Sequence, residues 1–527
     1  MMTRTSLVRL SLNAVIILAL LEIAAHPIAV TAKKAGPRRP PPPNLKPSSE
    51  ILPMCRSSGA VNLTVSPKFV GTTWRGWGTS LAWFANYVGG LPQKKLNEML
   101  DLLFTKDGLA LNIVRYNIGG GHNKKRSPQF YQMEQTDWRG MPGFKPTEAG
   151  PFDWSADERQ RNVLQGAKER GANVFEAFSN SPPWWMTKSG DVAGPPLIGQ
   201  SNLKQEYESA FAYYLTTVVE QFAKKWGVTF DSLEPFNEAL EGFWQQGNAH
   251  EGCSFDAPAM GRIIKYTSDS LKKKGLQTKL VGVDSWSPAT ATLSQVANHQ
   301  LLSRINVHSY MNRYDEDDVA KIYENNFARV RETAKQLGKD VWVSEAGPIG
   351  KSGNSWDVSL YMARNVIETV NIMEASAYVY WQAYDLGSGW SLIDFPTNYN
   401  PGFQGAMKTP KPNKRFWMFK HFTMLAKPGS KPLKVGSDCS HGISAFYNPG
   451  DNRVTVFLVN QQAKERRVTI NLQGFRRNVG GSTRVVVRRT SFATNLGKKV
   501  YTRFGGKATL TVWGQSLVSV TFTNMSD

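Results

Sequence analysis

The sequence predicts an α/β chain: a (β/α)8 barrel of the TIM type with an appended antiparallel β-sandwich. Three observations carry this. From Trp74 to about Leu425, short apolar runs alternate with longer amphipathic segments, the mark of repeated βα units around a parallel sheet. Eight such runs are present, and eight units in one stretch of this length define a barrel. After about Pro428 the runs become short, alternating and split by Gly, Asn and Pro, as in an antiparallel sandwich. A chain of 527 residues, 41% hydrophobic, is long enough for two cores.

The eight candidate strands are 74–84, 111–120, 173–182, 232–238, 280–285, 305–310, 341–347 and 378–384. Residues 94–104, 204–226, 257–274 and 319–337 carry apolar residues at three- and four-residue spacing and read as helices. In the sandwich region the strand candidates are GISAFYNPG, RVTVFLVNQ, RRVTINLQG, STRVVVRRTS and ATLTVWGQSLVSVTFTN. The stretch GAVNLTVSPKFVG (59–71) has the same style and precedes the barrel, so it is expected to add a strand to the sandwich. The resulting division is 56–73 for that strand, 74–427 for the barrel and 428–527 for the sandwich.

The N-terminal end reads as an export signal. Arg4 and Arg9 precede a short apolar core at Leu12–Ala25, and Val30-Thr31-Ala32 offers a small-residue cleavage site, giving a signal peptide over 1–32. The core is short for a membrane span, and a signal anchor is the alternative. Residues 33–55 are Pro-rich and basic and read as a linker. Stable membrane insertion is not expected after signal removal. Three cysteines, Cys55, Cys253 and Cys439, leave at least one unpaired; Cys55 and Cys439 could pair. No CxxC or His/Cys cluster suggests zinc. Asn62-Leu63-Thr64 and Asn524-Met525-Ser526 fit the N-glycosylation pattern.

The formal net charge is +21, with Lys and Arg spread along the chain. This suits a solvated basic surface or attraction to an acidic, uronate-bearing polysaccharide. Nucleic acid is a third polyanion, but no nucleic-acid motif accompanies the charge. Sixteen Trp and seventeen Tyr supply π-faces on which sugar rings stack, although core packing claims many of them.

Two segments carry the chemistry. Glu234-Pro-Phe-Asn-Glu238 and Val341-Trp-Val-Ser-Glu345 are apolar runs that stop on a carboxylate. A Glu at the C-terminal end of a barrel strand faces the mouth where active sites of this fold lie. Two such carboxylates are what retaining glycoside hydrolysis requires, one as acid/base and one as nucleophile, ~5–5.5 Å apart. The bland alternative is that each Glu merely ends a strand. The other strand ends are also polar or aromatic: Arg115 and Asn117, Ser179 and Asn180, Asn237, Asp284, His308 and Tyr310, Trp381 and Gln382. Trp184 and Trp185 sit in the Pro/Gly-rich loop after the third strand and read as sugar-stacking or loop-anchoring aromatics. Arg115, Asn117, Asn180, Trp184, Trp185, Asn237, His308, Tyr310 and Trp381 form the candidate substrate-binding set. A nucleophile must stay ionised, and a nearby Arg is expected to lower its pKa.

The strings GWGTSLAWFA (76–85), NIGGG (117–121), SNSPPWWMT (179–187), EPFNE (234–238), EGCSF (251–255) and VSEAG (343–347) resemble glycoside hydrolase family 30, and within it the endo-β-1,6-galactanase group. The resemblance covers nearly all of residues 56–527. It implies Glu238 as acid/base and Glu345 as nucleophile, from the fourth and seventh strands. It further implies Asn237 on the sugar 2-hydroxyl, Arg115 and Tyr310 on the nucleophile carboxylate, and Trp381 as the floor of the cleavage subsite. One departure is visible: Ala239 follows the acid/base Glu where the family often has Pro, which bears on linkage preference. The expected activity is endo-hydrolysis of β-1,6-galactan side chains of arabinogalactan-type polysaccharide by a secreted monomer, with no metal or organic cofactor. A family-30 xylanase or glucosylceramidase, or an inactive polysaccharide-binding wall protein, are the alternatives.

Overall fold

The computed structural model describes residues 60–123, 140–248, 250–286, 293, 296–311, 317–348, 356–385, 389–394, 409–436, 441–477, 483–501 and 507–526. The expected signal peptide and linker, Cys55 and Cys439 lie outside them. Cys253 is a free, fully buried thiol. Among the described residues, no helix is long and apolar enough to cross a membrane.

The first strand, β1 (Val61–Phe69), precedes the barrel. The barrel strands are β2 (Gly76–Ser80), β3 (Ile113–Asn117), β4 (Val174–Phe178), β5 (Ser232–Glu234), β6 (Lys279–Leu280), β7 (Gly282–Trp286), β8 (Arg304–Met311), β9 (Asp340–Pro348) and β10 (Ala377–Tyr380). They form one parallel sheet in the order β6-β5-β4-β3-β2-β10-β9-β8-β7. Nine pieces make eight strands, because the fifth is broken. β6 pairs with β5 and β7 pairs with β8, on either side of Val281. The Val281 N–H still donates to Leu233 O at 3.0 Å, so the two halves of one strand close the ring. β2, β3, β4, β5 and β10 are shorter than the apolar runs suggest, whereas β8 and β9 run one residue further at each end. The clearest case is β5, which ends at Glu234 because Pro235 has no N–H to continue a ladder. Glu238 therefore lies in the loop beyond the strand.

The helices α1 (Phe84–Val88), α2 (Gln93–Phe104), α3 (Glu158–Glu169), α4 (Glu208–Trp226), α5 (Ala257–Lys273), α6 (Asp317–Leu337) and α7 (Trp356–Asn371) connect these strands. In α4, Phe211, Leu215, Val218, Val219 and Phe222 form the buried stripe, and Gly227 ends the helix at φ 61°, a conformation that glycine adopts without a Cβ clash. In α5 the Asp256 side chain caps the N-terminus by accepting from Ala259 N at 2.8 Å, satisfying an otherwise orphaned donor.

A second sheet holds β1 and the C-terminal strands. Short ladders join β11 (Ile393–Asp394) to β12 (Lys411–Pro412) and β17 (Arg476–Arg477) to β22 (Met525–Ser526). The main strands are β13 (Lys431–Gly436), β14 (Ile443–Asn448), β15 (Arg453–Asn460), β16 (Arg466–Leu472), β18 (Val485–Ser491), β19 (Thr494–Tyr501), β20 (Lys507–Val512) and β21 (Ser516–Thr523). Their order is β19-β18-β21-β15-β14-β13-β1-β16-β20. Every pairing is antiparallel except β1 with β16. Val454, Val456 and Leu458 of β15 share one core with Val61, Leu63 and Val65 of β1 and with Val468 and Ile470 of β16. The sheet thus folds over itself in two layers, which is the sandwich.

The sandwich is fused to the barrel rather than tethered to it. Phe446, Phe457, Val459 and Leu517 point from the other face of the sheet into the barrel's own core. Phe457 stacks near Phe422 of α8 (Lys414–Leu425), centroids 4.7 Å apart, and Trp77 Nε1 donates to Ala426 O at 2.6 Å. At the seam, His421 is fully buried, its two ring nitrogens 2.9 Å from Ser519 Oγ and Thr490 Oγ1. Burial is the chief reason its pKa falls to about 3, with Arg488 adding to the effect. The unfolded chain regains the ordinary value near ~6.5. The neutral ring therefore stabilises the fold fully above pH ~6.5, and that contribution is lost as pH falls toward the folded value. His421→Gln, which keeps a hydrogen-bonding side chain but cannot titrate, should show a shallower loss of stability between pH 6.5 and 4. Parallel stability–pH curves for the two proteins would refute the role.

Candidate active site

Arg115 of β3 sits fully buried, its guanidinium 3.5 Å from the centroid of the Phe178 ring. Its three nitrogens contact three carboxylates: Glu345 of β9, Asp284 of β7 and, at 3.3 Å, Glu176 of β4. Burial alone would lower its pKa, but Asp284, Glu345 and Glu176 raise it, so the group is a fixed cation. Tyr310 of β8 donates its hydroxyl to Glu345 Oε2 at 2.6 Å. One carboxylate thus takes a guanidinium on one oxygen and a phenol on the other, which fixes its plane.

His308 of β8 links the pair of interest. Its Nδ1 lies 3.0 Å from Glu238 Oε1 and 3.5 Å from Glu345 Oε2. The two carboxyl oxygens can be no farther apart than those two contacts laid end to end. That bound, on the facing oxygens, admits the ~5–5.5 Å of a retaining pair. On its other side, His308 Nε2 lies 3.1 Å from Asp284 Oδ1. Burial would depress the imidazole pKa, but Glu345 and Asp284 outweigh it and hold the ring well above its ordinary value, as a cation. For Glu345 the balance differs from the expectation that Arg115 dominates. Burial is the largest influence and raises the carboxyl pKa, against the pull of His308 and Arg115.

Glu238 hangs from an irregular loop. Its φ is 49°, its N–H donates to Asp284 O at 2.8 Å, and its carbonyl accepts from Trp244 Nε1 at 2.9 Å. Gly252 lets the Trp244 ring in: a Cβ there would lie 2.0 Å from the indole. The neighbouring Ala239 is buried and bonds Phe255 N through its carbonyl at 3.0 Å. The side chain of Glu238 is 15% exposed against 3% for Glu345, so the former faces the mouth and the latter the barrel interior.

The remaining candidates divide. Asn117 ends β3, Asn180 follows β4, and Asn237 directly precedes Glu238. Asn117 accepts from Asn180 N at 3.2 Å and donates to Glu251 at 3.0 Å. Asn180 Nδ2 and Asn237 Oδ1 are buried with no protein partner, so both amides can bond a ligand hydroxyl. Trp381 follows β10, edge-on to Trp83 with centroids 6.1 Å apart, and is half-buried. Trp185 departs from the sugar-stacking expectation. It is buried, its indole N–H donates to Lys145 O at 3.0 Å, and its ring packs edge-on against Tyr207; it anchors the loop. Trp184 is half-buried with its N–H held by Pro146 O at 3.0 Å.

Sequence reasoning left Asp284 and Glu251 out of the site. Asp284 touches Arg115, His308 and Ser344 through its carboxylate and Glu238 through its carbonyl. Its signal was present, since the fifth candidate strand ends on Asp. Glu251 braces the NIGGG turn by accepting from Asn117 Nδ2 and Gly120 N. Its string was noted, but nothing marked its carboxylate as a brace.

A parallel barrel whose fourth and seventh strands bring two carboxylates to one histidine, with an arginine and a tyrosine on one of them, defines a glycoside hydrolase. The comparisons agree. The model described as "O-Glycosyl hydrolase family 30" matches residues 60–287. An "Endo-beta-1,6-galactanase" of Hypocrea rufa is 28% identical over 84% of this chain and 89% of its own length. An "Exo-beta-1,6-galactobiohydrolase" of Bifidobacterium longum is 25% identical over 65% of this chain and only 28% of its own length. A conserved exported protein of Bacteroides fragilis, 20% identical, superposes with a TM-score of 0.71 over 87% of this chain and 99% of the other. Over residues 60–287 the chain is similar to glycoside hydrolase family 30, and along most of its length it resembles an endo-β-1,6-galactanase.

Proposed function

We propose that this enzyme is a secreted endo-hydrolase of β-1,6-linked galactan, of the kind borne as side chains by arabinogalactan-type polysaccharides, and that it works with retention. One observation carries the mechanism: Glu238 and Glu345 reach the same nitrogen of His308. Glu345, held by Arg115 and Tyr310, attacks the anomeric carbon. Glu238 gives its proton to the departing glycosidic oxygen, so the C–O bond breaks as the glycosyl–Glu345 ester forms. Water then enters, gives its proton to Glu238, and its oxygen displaces Glu345 from the same face that the leaving group left. The His308 cation offsets negative charge on both carboxylates as it shifts between them. The galactan reading rests on the relative that this chain spans almost end to end. Secretion rests on the basic start and apolar stretch of residues 1–32.

Digestion of β-1,6-galactan, followed by chromatography and by proton NMR of the first products, tests this reading. The expected result is a ladder of short oligosaccharides whose new reducing ends are first β. On galactan bearing glucuronate the rate should fall with added salt, because attraction of the basic protein to uronate is screened beyond ~10 Å at 0.1 M ionic strength. Neutral galactan supplies the control. Release of disaccharide alone would favour an exo mode, initial α products would reject retention, and faster cleavage of xylan would reject the substrate.

A further inference from the structure

Four cations lie at the open margin of the side of the second sheet that packs on the barrel, where Arg484 and Lys498 are exposed. Arg453 lies opposite Thr523 across β15 and β21. On its other side, Thr523 N bonds Arg484 O at 3.0 Å. Alternate residues of a strand share a face, so Arg484, Val486 and Arg488 lie together. Arg488 is directly opposite Lys498 of β19, and Val486 is opposite Val500. Like charges in directly opposed positions oppose sheet formation. Nothing in the fold relieves them: among the described residues, no carboxylate pairs with Arg484, Arg488 or Lys498. Asp451 approaches Arg453 only at 4.0 Å and is already bonded to Lys427 at 2.6 Å. Between the charges, Val500 is 47% exposed and forms an apolar strip with Val486. Burial and the nearby Arg453 both disfavour the charge on Arg488, so this margin gains from any anion that covers it.

We propose that this margin is a second carbohydrate site, separate from the cleft, that holds the carboxylates of uronate-bearing polysaccharide. Guanidinium and ammonium groups pair with carboxylates through charge-assisted hydrogen bonds. The valine strip suits the apolar face of a sugar ring. The site would hold acidic decorations of the polymer that the cleft cuts, and in that sense it rests on the galactan reading.

Affinity chromatography of the full chain on immobilised polygalacturonate tests it. That polymer contains no β-1,6-galactan, so the result is independent of what the cleft cleaves. The wild type should be retained at low salt. Arg488→Ser with Lys498→Ser should elute at lower salt, with affinity in solution roughly tenfold weaker, and should hydrolyse neutral galactan at the wild-type rate. Arg488→Lys with Lys498→Arg keeps both charges and should bind as the wild type does. Unchanged elution of the serine variant would overturn the proposal, as would equal loss in the charge-preserving variant. Tighter wild-type binding to phosphatidylserine vesicles or to duplex DNA, at the same salt, would overturn it in favour of those polyanions.

Discussion

Glu345→Gln should abolish turnover while leaving the fold and substrate binding largely intact. The amide has nearly the shape of the carboxylate. Its oxygen can still accept from Arg115, and its NH2 group can face the Tyr310 oxygen, so neither neighbour loses its partner. What is lost is the nucleophile, because an amide forms no glycosyl ester. Removing a covalent-catalysis residue lowers the rate by at least ~10³-fold. The fall should appear in kcat, with KM little changed, because ground-state contacts survive. Steady-state kinetics on β-1,6-galactan, with thermal unfolding as a control for folding, decide the matter. Activity within tenfold of the wild type would remove Glu345 from the reaction.

A chain ended near Pro428 should yield no soluble, active barrel. The cut removes β13 and β16, which are the two neighbours of β1. It also uncovers apolar surface on the barrel itself. Phe422 loses Phe457, Trp74 loses Phe446 at a centroid distance of 5.7 Å, and Trp356 Nε1 loses Gln515 O at 3.2 Å. Inside the barrel wall, Arg364 Nη1 loses Gln461 Oε1 at 3.1 Å, which leaves a buried cation with fewer partners. Exposed apolar patches and an unpaired strand edge both drive aggregation. Expression of the fragment, followed by gel filtration and a galactan assay, gives the answer; a monodisperse, active fragment would mean that the sheet is an accessory and not part of the core.

The barrel was legible because its strands are buried and therefore apolar along their length, while their ends turn polar. The break in the fifth strand was not legible, because Leu280, Val281 and Val283 are continuously apolar on both sides of it. Glu345 lies on its strand as the pattern implies. Glu238 does not, and Pro235 was the visible reason. The tryptophan pair shows a limit of composition. Trp185 and Trp184 sit side by side in the sequence, yet one is buried and the other half-buried. What separates them is where Lys145 and Tyr207 arrive from distant parts of the chain. The same holds for ionisation. An arginine beside a carboxylate suggests a low pKa, but the depth of Glu345 is a property of the closed barrel and outweighs it.

The place of β1 has a consequence for how the molecule is made. Val61–Phe69 leaves the ribosome early, and its partners, Lys431–Gly436 and Arg466–Leu472, emerge near the end. At ~5–20 residues per second the strand waits roughly 20–70 s with both edges open. All eight barrel strands are complete before that wait ends. The nascent chain therefore carries eight barrel strands that still lack part of their core and an idle β-strand at once, a template for pairing with its neighbours on the same message. Dense translation of one transcript would set these strands side by side, and spacing of ribosomes, or a chaperone on β1, becomes part of the route to the native enzyme.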